Sequence, residues 1–157
     1  MNVHSYDVRV DWTGNDGVGT KSYREYRRDH TINIDGKPEI PGSSDPSFRG
    51  DRSRFNPEEL LVASLSSCHM LWYLHLCAVN HVTVLEYRDA AQGFMEEEQN
   101  GAGQFVRVRL RPIVRIATGD AAKARTLHEE AHRCCFIARS VNFPVEIAAE
   151  VLEEALS

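Results

Sequence analysis

The first third of the chain predicts two strands followed by a loop. From Tyr6 to Trp12 apolar and polar residues alternate well enough to predict a half-buried strand, and Gly14–Gly17 then supplies residues typical of a turn. A second strand is expected from about Thr20 to Ile34, with Asp35-Gly36 at its end. The segment from Lys37 to Arg54 is rich in Pro, Gly, Ser and charge and predicts a long surface loop, which in a compact domain often has a function.

A long charge-free segment follows a helix-start signal. Asn56 can cap a helix, Pro57 suits its first position, and Glu59 at the third can complete a capping box. From Leu60 to Asn80 there is no Asp, Glu, Lys or Arg, which is long enough to raise the question of a membrane span. Serine, histidine and asparagine residues in the segment favour instead a helix that is buried on every side. One helical stripe is expected to contain Leu61, Leu65, Cys68, Trp72, His75 and Val79.

The second half of the chain predicts strands, a helix and a last strand. Strands are expected around Thr83 to Tyr87, Ala90 to Glu96 and Gln104 to Ile116, with a turn at Asn100–Gly103. Strict alternation over Phe105–Arg111 indicates that one face of that sheet is solvated.

The second helix is expected to begin at its cap, Asp120, and to run to about Ser140. One stripe of this helix contains Leu127, Ala131, Cys134 and Ala138. A neighbouring stripe contains Ala124, His128, Ala131 and Cys135. Pro144 ends the segment, and Val145 to Leu152 predicts a last strand or a strand passing into a short C-terminal helix.

Composition narrows the class of protein. The 157 residues are 42% apolar, which suits one domain over residues 1–157 with its own core. A net charge of -5 with mixed signs along the chain gives no electrostatic footprint for nucleic acid. The segment Met1–Asp7 carries neither the basic nor the apolar region of a secretory signal, so a cytoplasmic protein without a membrane partner is expected.

Four cysteines in a reducing compartment are expected to be reactive, metal-binding or simply buried thiols. Cys68 and Cys135 lie on the two predicted helices, so only the fold can bring them together. A nucleophilic thiol must act as a thiolate, and a cation beside it favours that form. An arginine from Arg24–Arg28 can supply the charge, with Glu58 holding its guanidinium group.

A metal site is the alternative use of these side chains. His128, His132 and Cys135 follow one another at i, i+4 and i+7 and offer nitrogen and sulfur ligands to zinc. Both histidines are flanked by charged residues, and a solvated helix face explains them more simply. Cys134 and Cys135 point about 100° apart around a helix, so they are not expected to bond to each other, and Cys134 is expected to lie in the core.

Two segments together resemble a known family. Asn56–Met70 reads NPEELLVASLSSCHM and Ala131–Val141 reads AHRCCFIARSV. Both cysteine motifs, in this order and separation, resemble those of the OsmC and organic hydroperoxide resistance family, and the order of predicted elements agrees over nearly the whole chain. The resemblance is stronger to the OsmC-like branch, which has histidine-rich helices, than to the organic hydroperoxide reductases.

The resemblance implies an α+β fold, with curved antiparallel sheets around two central helices in an intertwined homodimer. It also implies thiol-dependent reduction of hydroperoxides without a cofactor. Cys68 matches the family's peroxidatic cysteine, Cys135 its resolving cysteine, and Glu58 the acid that orients the family's arginine. Arg24 aligns best with that arginine, and a register slip would select Arg27 or Arg28 instead.

The implied reaction is attack of the Cys68 thiolate on a hydroperoxide, followed by a disulfide with Cys135 that a small dithiol or a protein thiol reduces. Apolar residues near Cys68, such as Leu65, Leu71 and Trp72, would favour an organic hydroperoxide. Two other classes remain open: a stress-associated protein that binds a small apolar ligand without turnover, and a zinc protein.

Helix geometry adds an expectation about assembly. Glu58 and Cys68 are ten residues apart on one predicted helix, which corresponds to about 15 Å of rise. A straight helix cannot bring this carboxylate to its own chain's thiol. The acid is therefore expected to serve the other protomer of a dimer.

Overall fold

The computed structural model describes residues 1–155, and the chain divides into two compact units with a boundary after Leu60. The expectation of a single domain over residues 1–157 stays a prediction.

The first unit is built on a small antiparallel sheet. Its strands, β1 (Arg9–Trp12), β2 (His30–Asn33) and β3 (Ile40–Gly42), lie in the order β1-β2-β3. Trp12 pairs with His30, and His30 pairs in turn with Gly42. A Cβ atom on Gly42 would meet the His30 imidazole ring, so glycine here leaves room for that ring.

The sequence predictions for this unit are partly wrong. All four residues of β1 are exposed, so it is not half-buried. The expected strand from Thr20 to Ile34 is reduced to β2, because turns replace its first half: Gly17 and Gly19 adopt positive φ angles, and Asn15 accepts hydrogen bonds from both of their N–H groups. The expected surface loop contains β3 and a short 3-10 turn at Pro46–Phe48.

The first helix, α1 (Pro57–Val79), begins and ends close to the predicted bounds. Asn56 caps it by accepting a hydrogen bond from the Glu59 N–H at 2.8 Å. The helix α1 is long and apolar enough to cross a membrane. The core helices of soluble proteins have the same length and composition, so these properties are weak evidence for a membrane span.

The helix α1 is not buried on every side, contrary to the prediction. The buried residues are Leu65, His69, Tyr73, Leu76 and Cys77, a stripe about 100° away from the expected one. Leu71 and Val79 are 62% and 57% exposed in this single chain. Serine, histidine and apolar residues alternate around α1, so periodicity alone did not distinguish the two stripes.

The second unit contains two three-stranded sheets and the second helix. One sheet has the order β4-β7-β9 and the other β5-β6-β8. The bounds are β4 (Val84–Asp89), β5 (Gln92–Glu97), β6 (Gly103–Leu110), β7 (Pro112–Ala117), α2 (Ala121–Cys134), β8 (Val145–Ile147) and β9 (Glu150–Glu154).

The sheets of the second unit are mixed rather than purely antiparallel. The pairs β4·β7 and β5·β6 are antiparallel, whereas β6·β8 and β7·β9 are parallel. The predicted strand from Gln104 to Ile116 is two strands interrupted at Arg111, because β6 and β7 join different sheets. The chain after Pro144 forms β8 and β9, and up to residue 155 it forms no C-terminal helix.

Asp120 caps α2 as predicted, accepting a hydrogen bond from the Lys123 N–H at 2.9 Å. The helix ends at Cys134, earlier than expected, and Ala138–Ser140 forms a separate 3-10 turn.

Two apolar clusters hold the second unit together. One packs the second half of α1 and one face of α2 on the β4-β7-β9 sheet, around Tyr73, Ala124, Leu127 and Val151. The other packs Leu65 of α1 on Val108 and Leu110 of β6. The helix α1 therefore contacts both sheets and brings its middle, where Cys68 lies, close to the C-terminal end of α2.

Candidate active site

The two cysteines singled out by the sequence lie side by side in the second unit. The Cys68 and Cys135 thiols are within hydrogen-bonding reach of each other, and all four cysteines are unbonded. They are 67 residues apart along the chain, so tertiary packing of α1 against α2 creates this contact. The arrangement offers two thiols that could form a disulfide.

Cys135 was expected within the second helix, but it is the C-cap of α2. Its backbone is extended, with φ -62 and ψ 114, while its N–H still donates to the Ala131 carbonyl. The Cys135 side chain is only 1% exposed, and the Ala138 N–H donates to its Sγ at 3.4 Å. Burial raises the pKa of the Cys135 thiol to about 11, although the Ala138 N–H acts in the opposite direction. Cys135 therefore keeps its proton at neutral pH.

Cys68 is half-buried in the middle of α1. One turn further along α1, the Trp72 ring packs edge-on against Phe136, with 5.5 Å between ring centroids. Phe136 is 68% exposed. Leu71, Trp72 and His75 line a shallow, mainly apolar depression of about 260 Å³. Cys68 is thus the more accessible of the two thiols and has apolar surface nearby.

Arg24 and Glu58 belong to the first unit and the cysteines to the second, so the prediction that the four share one site stays a prediction. Arg24 is exposed in a turn. Arg27 is bound to Asp16 and Asp29, and Arg28 donates to two backbone carbonyl groups and stacks on Tyr26.

Among these three arginines, Arg24 is the one without a side-chain hydrogen bond or ion pair to residues 1–155, and the choice of Arg24 stays a prediction. Glu58 is partly buried, and its Oε2 atom has no hydrogen-bond partner among the described residues.

A buried histidine pair joins α1 to α2, and the sequence analysis did not find it. His69 Nε2 and His128 Nδ1 are 3.0 Å apart, and the Tyr73 ring stacks on His128 with 3.8 Å between centroids. Burial lowers the pKa of His69 to about 4 and that of His128 to about 3. Both rings are neutral at pH 7.

This pair corrects the expectation that His128 lies on a solvated face. His128 is buried, as is Ala124 one turn before it, while His132 is half-buried. The available signal was position: His128 shares a stripe with Ala124 and Ala131. Its charged neighbours, Glu129 and Glu130, suggested solvent instead.

The zinc alternative receives no geometric support within residues 1–155. These residues contain no group of three or more His, Cys, Asp and Glu side chains arranged to hold a metal ion. One ring nitrogen of His128 is already bonded to His69, and Cys135 has left the helix on which the expected spacing depends.

The other two cysteines have different surroundings. Cys77 is buried beside Tyr73, and burial raises the pKa of its thiol. Cys134 was expected to lie in the core, but it is half-buried. The surroundings of these two cysteines give no reason to change the pairing of Cys68 with Cys135.

Comparison with known proteins identifies the family. Residues 50–150 match the model of the family described as OsmC-like protein. This is most of the chain, and the protein therefore belongs to the OsmC-like family.

Solved structures of this family have the same fold. An OsmC-like protein of unknown function from Vibrio cholerae is 30% identical, with a TM-score of 0.83, and the match covers 96% of this chain and 100% of that one. An OsmC-like protein from Mycoplasma pneumoniae is 11% identical, with a TM-score of 0.74 over 95% and 98% of the two chains.

An organic hydroperoxide resistance protein from Elizabethkingia anophelis is 17% identical, with a TM-score of 0.67 over 98% and 99% of the two chains. The last two similarities show the fold alone. No curated protein matches this sequence.

Proposed function

We propose that this protein is a thiol-dependent peroxidase that reduces hydroperoxides, with Cys68 as the nucleophile and Cys135 as the resolving thiol. The observation that carries the proposal is the contact between these two thiols, of which one is accessible and the other buried. The family includes organic hydroperoxide resistance proteins, which supports a peroxidase role at the level of the family.

The reaction takes place in two steps. The Cys68 thiolate attacks the outer oxygen of ROOH; the O–O bond breaks, sulfur is oxidised to the sulfenic acid, and RO⁻ takes up a proton to leave as ROH. The Cys135 thiol then attacks the Cys68 sulfenic acid. An S–S bond forms, the S–O bond breaks, and the hydroxyl group leaves with the Cys135 proton as water.

Return to the starting state needs two electrons and two protons from a small dithiol or a protein thiol. No cofactor takes part. A cytoplasmic location suits this cycle, because a reducing compartment supplies such thiols.

Arg24 is proposed to stabilise the Cys68 thiolate, and Glu58 to hold the Arg24 guanidinium group. A guanidinium group pairs with a carboxylate through two parallel hydrogen bonds, which fixes its orientation. The unpaired Oε2 of Glu58 and the uncommitted side chain of Arg24 are consistent with these roles.

The apolar depression formed by Leu71, Trp72 and His75 supports an organic hydroperoxide as the preferred substrate. It can cover the organic part of such a molecule, while hydrogen peroxide has no apolar part to bury. Equal kcat/KM values for cumene hydroperoxide and hydrogen peroxide would contradict this preference.

The active site is proposed to form in a homodimer. Glu58 and Cys68 lie ten positions apart on the continuous helix α1, or about 15 Å of rise, so Glu58 would serve the site of the partner subunit. The exposed Leu71 and Val79 on α1 give a second copy of this chain an apolar surface to cover.

Variant kinetics test the proposal. With cumene hydroperoxide and a dithiol reductant, Cys68→Ser should reduce turnover by at least about a hundredfold, because no nucleophile remains. Cys135→Ser should accumulate the Cys68 sulfenic acid, which a dimedone probe traps. Cys134→Ser, at the neighbouring position, is the matched control and should keep the wild-type rate.

Wild-type turnover in Cys68→Ser would refute the peroxidase assignment and favour a protein that binds an apolar ligand without turnover. Loss of activity in Cys134→Ser with wild-type activity in Cys135→Ser would instead assign the resolving role to Cys134.

A further inference from the structure

The hydrogen bond between His69 and His128 lies near the two thiols but involves neither of them. His69 directly follows Cys68 on α1, and His128 lies seven residues before Cys135 on α2, which corresponds to about 10 Å of helix. The bond therefore links the two helices that carry the thiols, one residue from the first thiol and two turns from the second.

The link has a defined geometry. The two rings are nearly parallel and 5.3 Å apart between centroids, and the Tyr73 ring stacks on a face of His128. One histidine must donate an N–H and the other must accept, because both rings are neutral. A one-residue slip between α1 and α2 would separate the two nitrogens. The pair thus fixes the register of the helices more strictly than apolar packing does.

Burying this histidine pair between the two helices costs free energy. His69 and His128 are both nearly inaccessible to solvent, and the outer ring nitrogens, His69 Nδ1 and His128 Nε2, have no partner among the described residues. Two apolar side chains at these positions would pack without this penalty. A requirement for register explains a polar pair here better than a requirement for stability does.

We propose that His69 and His128 are positioning residues whose hydrogen bond keeps the Cys68 and Cys135 thiols within reach of each other and so favours their disulfide. This role rests on the proposed function only in that the disulfide is the intermediate of that reaction. The histidines contact neither the substrate nor the sulfur atoms in this scheme; they act through the register of α1 against α2.

The experiment measures the equilibrium between dithiol and disulfide in mixtures of reduced and oxidised dithiothreitol. Two electrons and two protons pass from the protein thiols to oxidised dithiothreitol, and no peroxide is involved. Failure of the peroxidase assignment therefore leaves the measurement intact. In His128→Ala the equilibrium constant for Cys68–Cys135 disulfide formation should fall about tenfold, or about 30 mV for a two-electron couple.

Two variants separate positioning from stability. In His128→Asn the amide group lies where Nδ1 lay, so the hydrogen bond is kept and the equilibrium should stay within about twofold of wild type. Tyr73→Phe removes another bond between the helices, from the Tyr73 hydroxyl to the Ala124 carbonyl at 2.9 Å, one turn further from the thiols. It should lower the melting temperature and leave the thiol equilibrium unchanged.

An unchanged equilibrium in a folded His128→Ala would overturn the proposal. Equal falls in His128→Ala and Tyr73→Phe would overturn it as well, since any loosening of the helices would then suffice. If circular dichroism shows that His128→Ala does not fold, His69→Leu, which keeps apolar volume but cannot bond, has the same expected result and the same contradicting one.

Discussion

Burial lowers both the acidity and the accessibility of the Cys135 thiol. Cys135 has a pKa of about 11 because it is desolvated, whereas Cys68 is partly open to solvent. At pH 8 only about one Cys135 in a thousand is a thiolate. The buried Cys135 thiol is therefore a poor nucleophile at neutral pH, which is consistent with the resolving role proposed for it.

This difference predicts the order of alkylation. In the native protein at pH 7.5, iodoacetamide should modify Cys68 at least about tenfold faster than Cys135, because Cys135 lacks both exposure and thiolate. Peptide mass spectrometry over time gives the two rates. In guanidinium chloride both cysteines should react alike. Faster native alkylation of Cys135 would show that the accessible thiol has been misassigned.

The histidine pair predicts a loss of stability in weak acid. His69 and His128 have folded pKa values of about 4 and about 3, below the unfolded value of 6.5. Between pH 6.5 and pH 4 the unfolded chain therefore binds protons that the folded chain does not, and stability falls as the pH falls. Each histidine should contribute a loss of about 2 kcal/mol between pH 7 and pH 5.

Denaturant unfolding at pH 7, 6 and 5 measures this loss. The double variant His69→Gln/His128→Asn keeps a hydrogen-bonded pair but cannot take up the protons, so its stability should depend much less on pH over this range. A wild-type free energy of unfolding that is flat from pH 7 to pH 5 would contradict the account.

The sequence identified both thiols and missed the histidine bond, for a physical reason. Cys68 and Cys135 lie in motifs that resemble those of the family, and that resemblance paired them, whereas their contact depends on the packing of α1 against α2. His69 was overlooked because the expected buried stripe of α1 contained Cys68 and Trp72 instead. A buried His–His bond depends on α1 facing α2, and spacing within one helix does not reveal that.

Caps were more predictable than helix ends. Asn56 and Asp120 cap α1 and α2 as expected, because a cap depends on local hydrogen bonds. The end of α2 depends on packing: Ile137 and Ala138 join the second apolar cluster, so the chain leaves the helix at Cys135 although no breaker occurs before Pro144. This early end buries the Cys135 thiol and places it at Cys68.

The Asp120 cap gives a prediction for α2. Asp120→Ala removes the acceptor for the Lys123 N–H and should lower the free energy of unfolding by about 1 kcal/mol, as other helix caps do. Asp120→Asn keeps an acceptor oxygen and should cost only a few tenths of that. Urea unfolding compares the two. Equal losses would mean that the side-chain charge, and not the capping bond, supports α2.

Strand pairing was the least predictable level of the fold. Alternation located β5, the start of β6 and the turn at Gly101, because these depend on neighbouring residues. The parallel pairing of β6 with β8 and of β7 with β9 joins segments that are distant in sequence. Short segments such as Val145–Ile147 carry no local signal of their partner or its direction.

The exposed face of α1 leads to a prediction about assembly. If a second copy covers this face, the protein should have the mass of a dimer in sedimentation, and Val79→Arg should shift it to the monomer. Val79 is eleven residues from Cys68, about 16 Å along α1, so the variant leaves the thiols themselves unchanged. Ile113→Arg, on an exposed sheet residue, is the matched control.

A Val79→Arg monomer should lose peroxidase activity, because Glu58 would no longer reach a partner's site. A monomer confirmed by sedimentation that keeps the wild-type kcat/KM would contradict the shared site. It would leave the two-cysteine reaction itself untouched.

Membership of the OsmC-like family does not by itself identify the reaction that this chain catalyses. The 30% identical Vibrio cholerae protein is itself described as of unknown function, and the organic hydroperoxide resistance proteins share the fold at 17% identity or less. The thiol pair, rather than the fold, therefore has to distinguish a peroxidase from a binding protein.

The most direct test is to mix the reduced protein with one equivalent of cumene hydroperoxide and to map the product by mass spectrometry. A peroxidase of the proposed kind yields a disulfide between Cys68 and Cys135, with the loss of two hydrogen atoms and the release of cumyl alcohol. Unmodified thiols after this treatment would contradict the peroxidase assignment and leave a scaffold suited to binding.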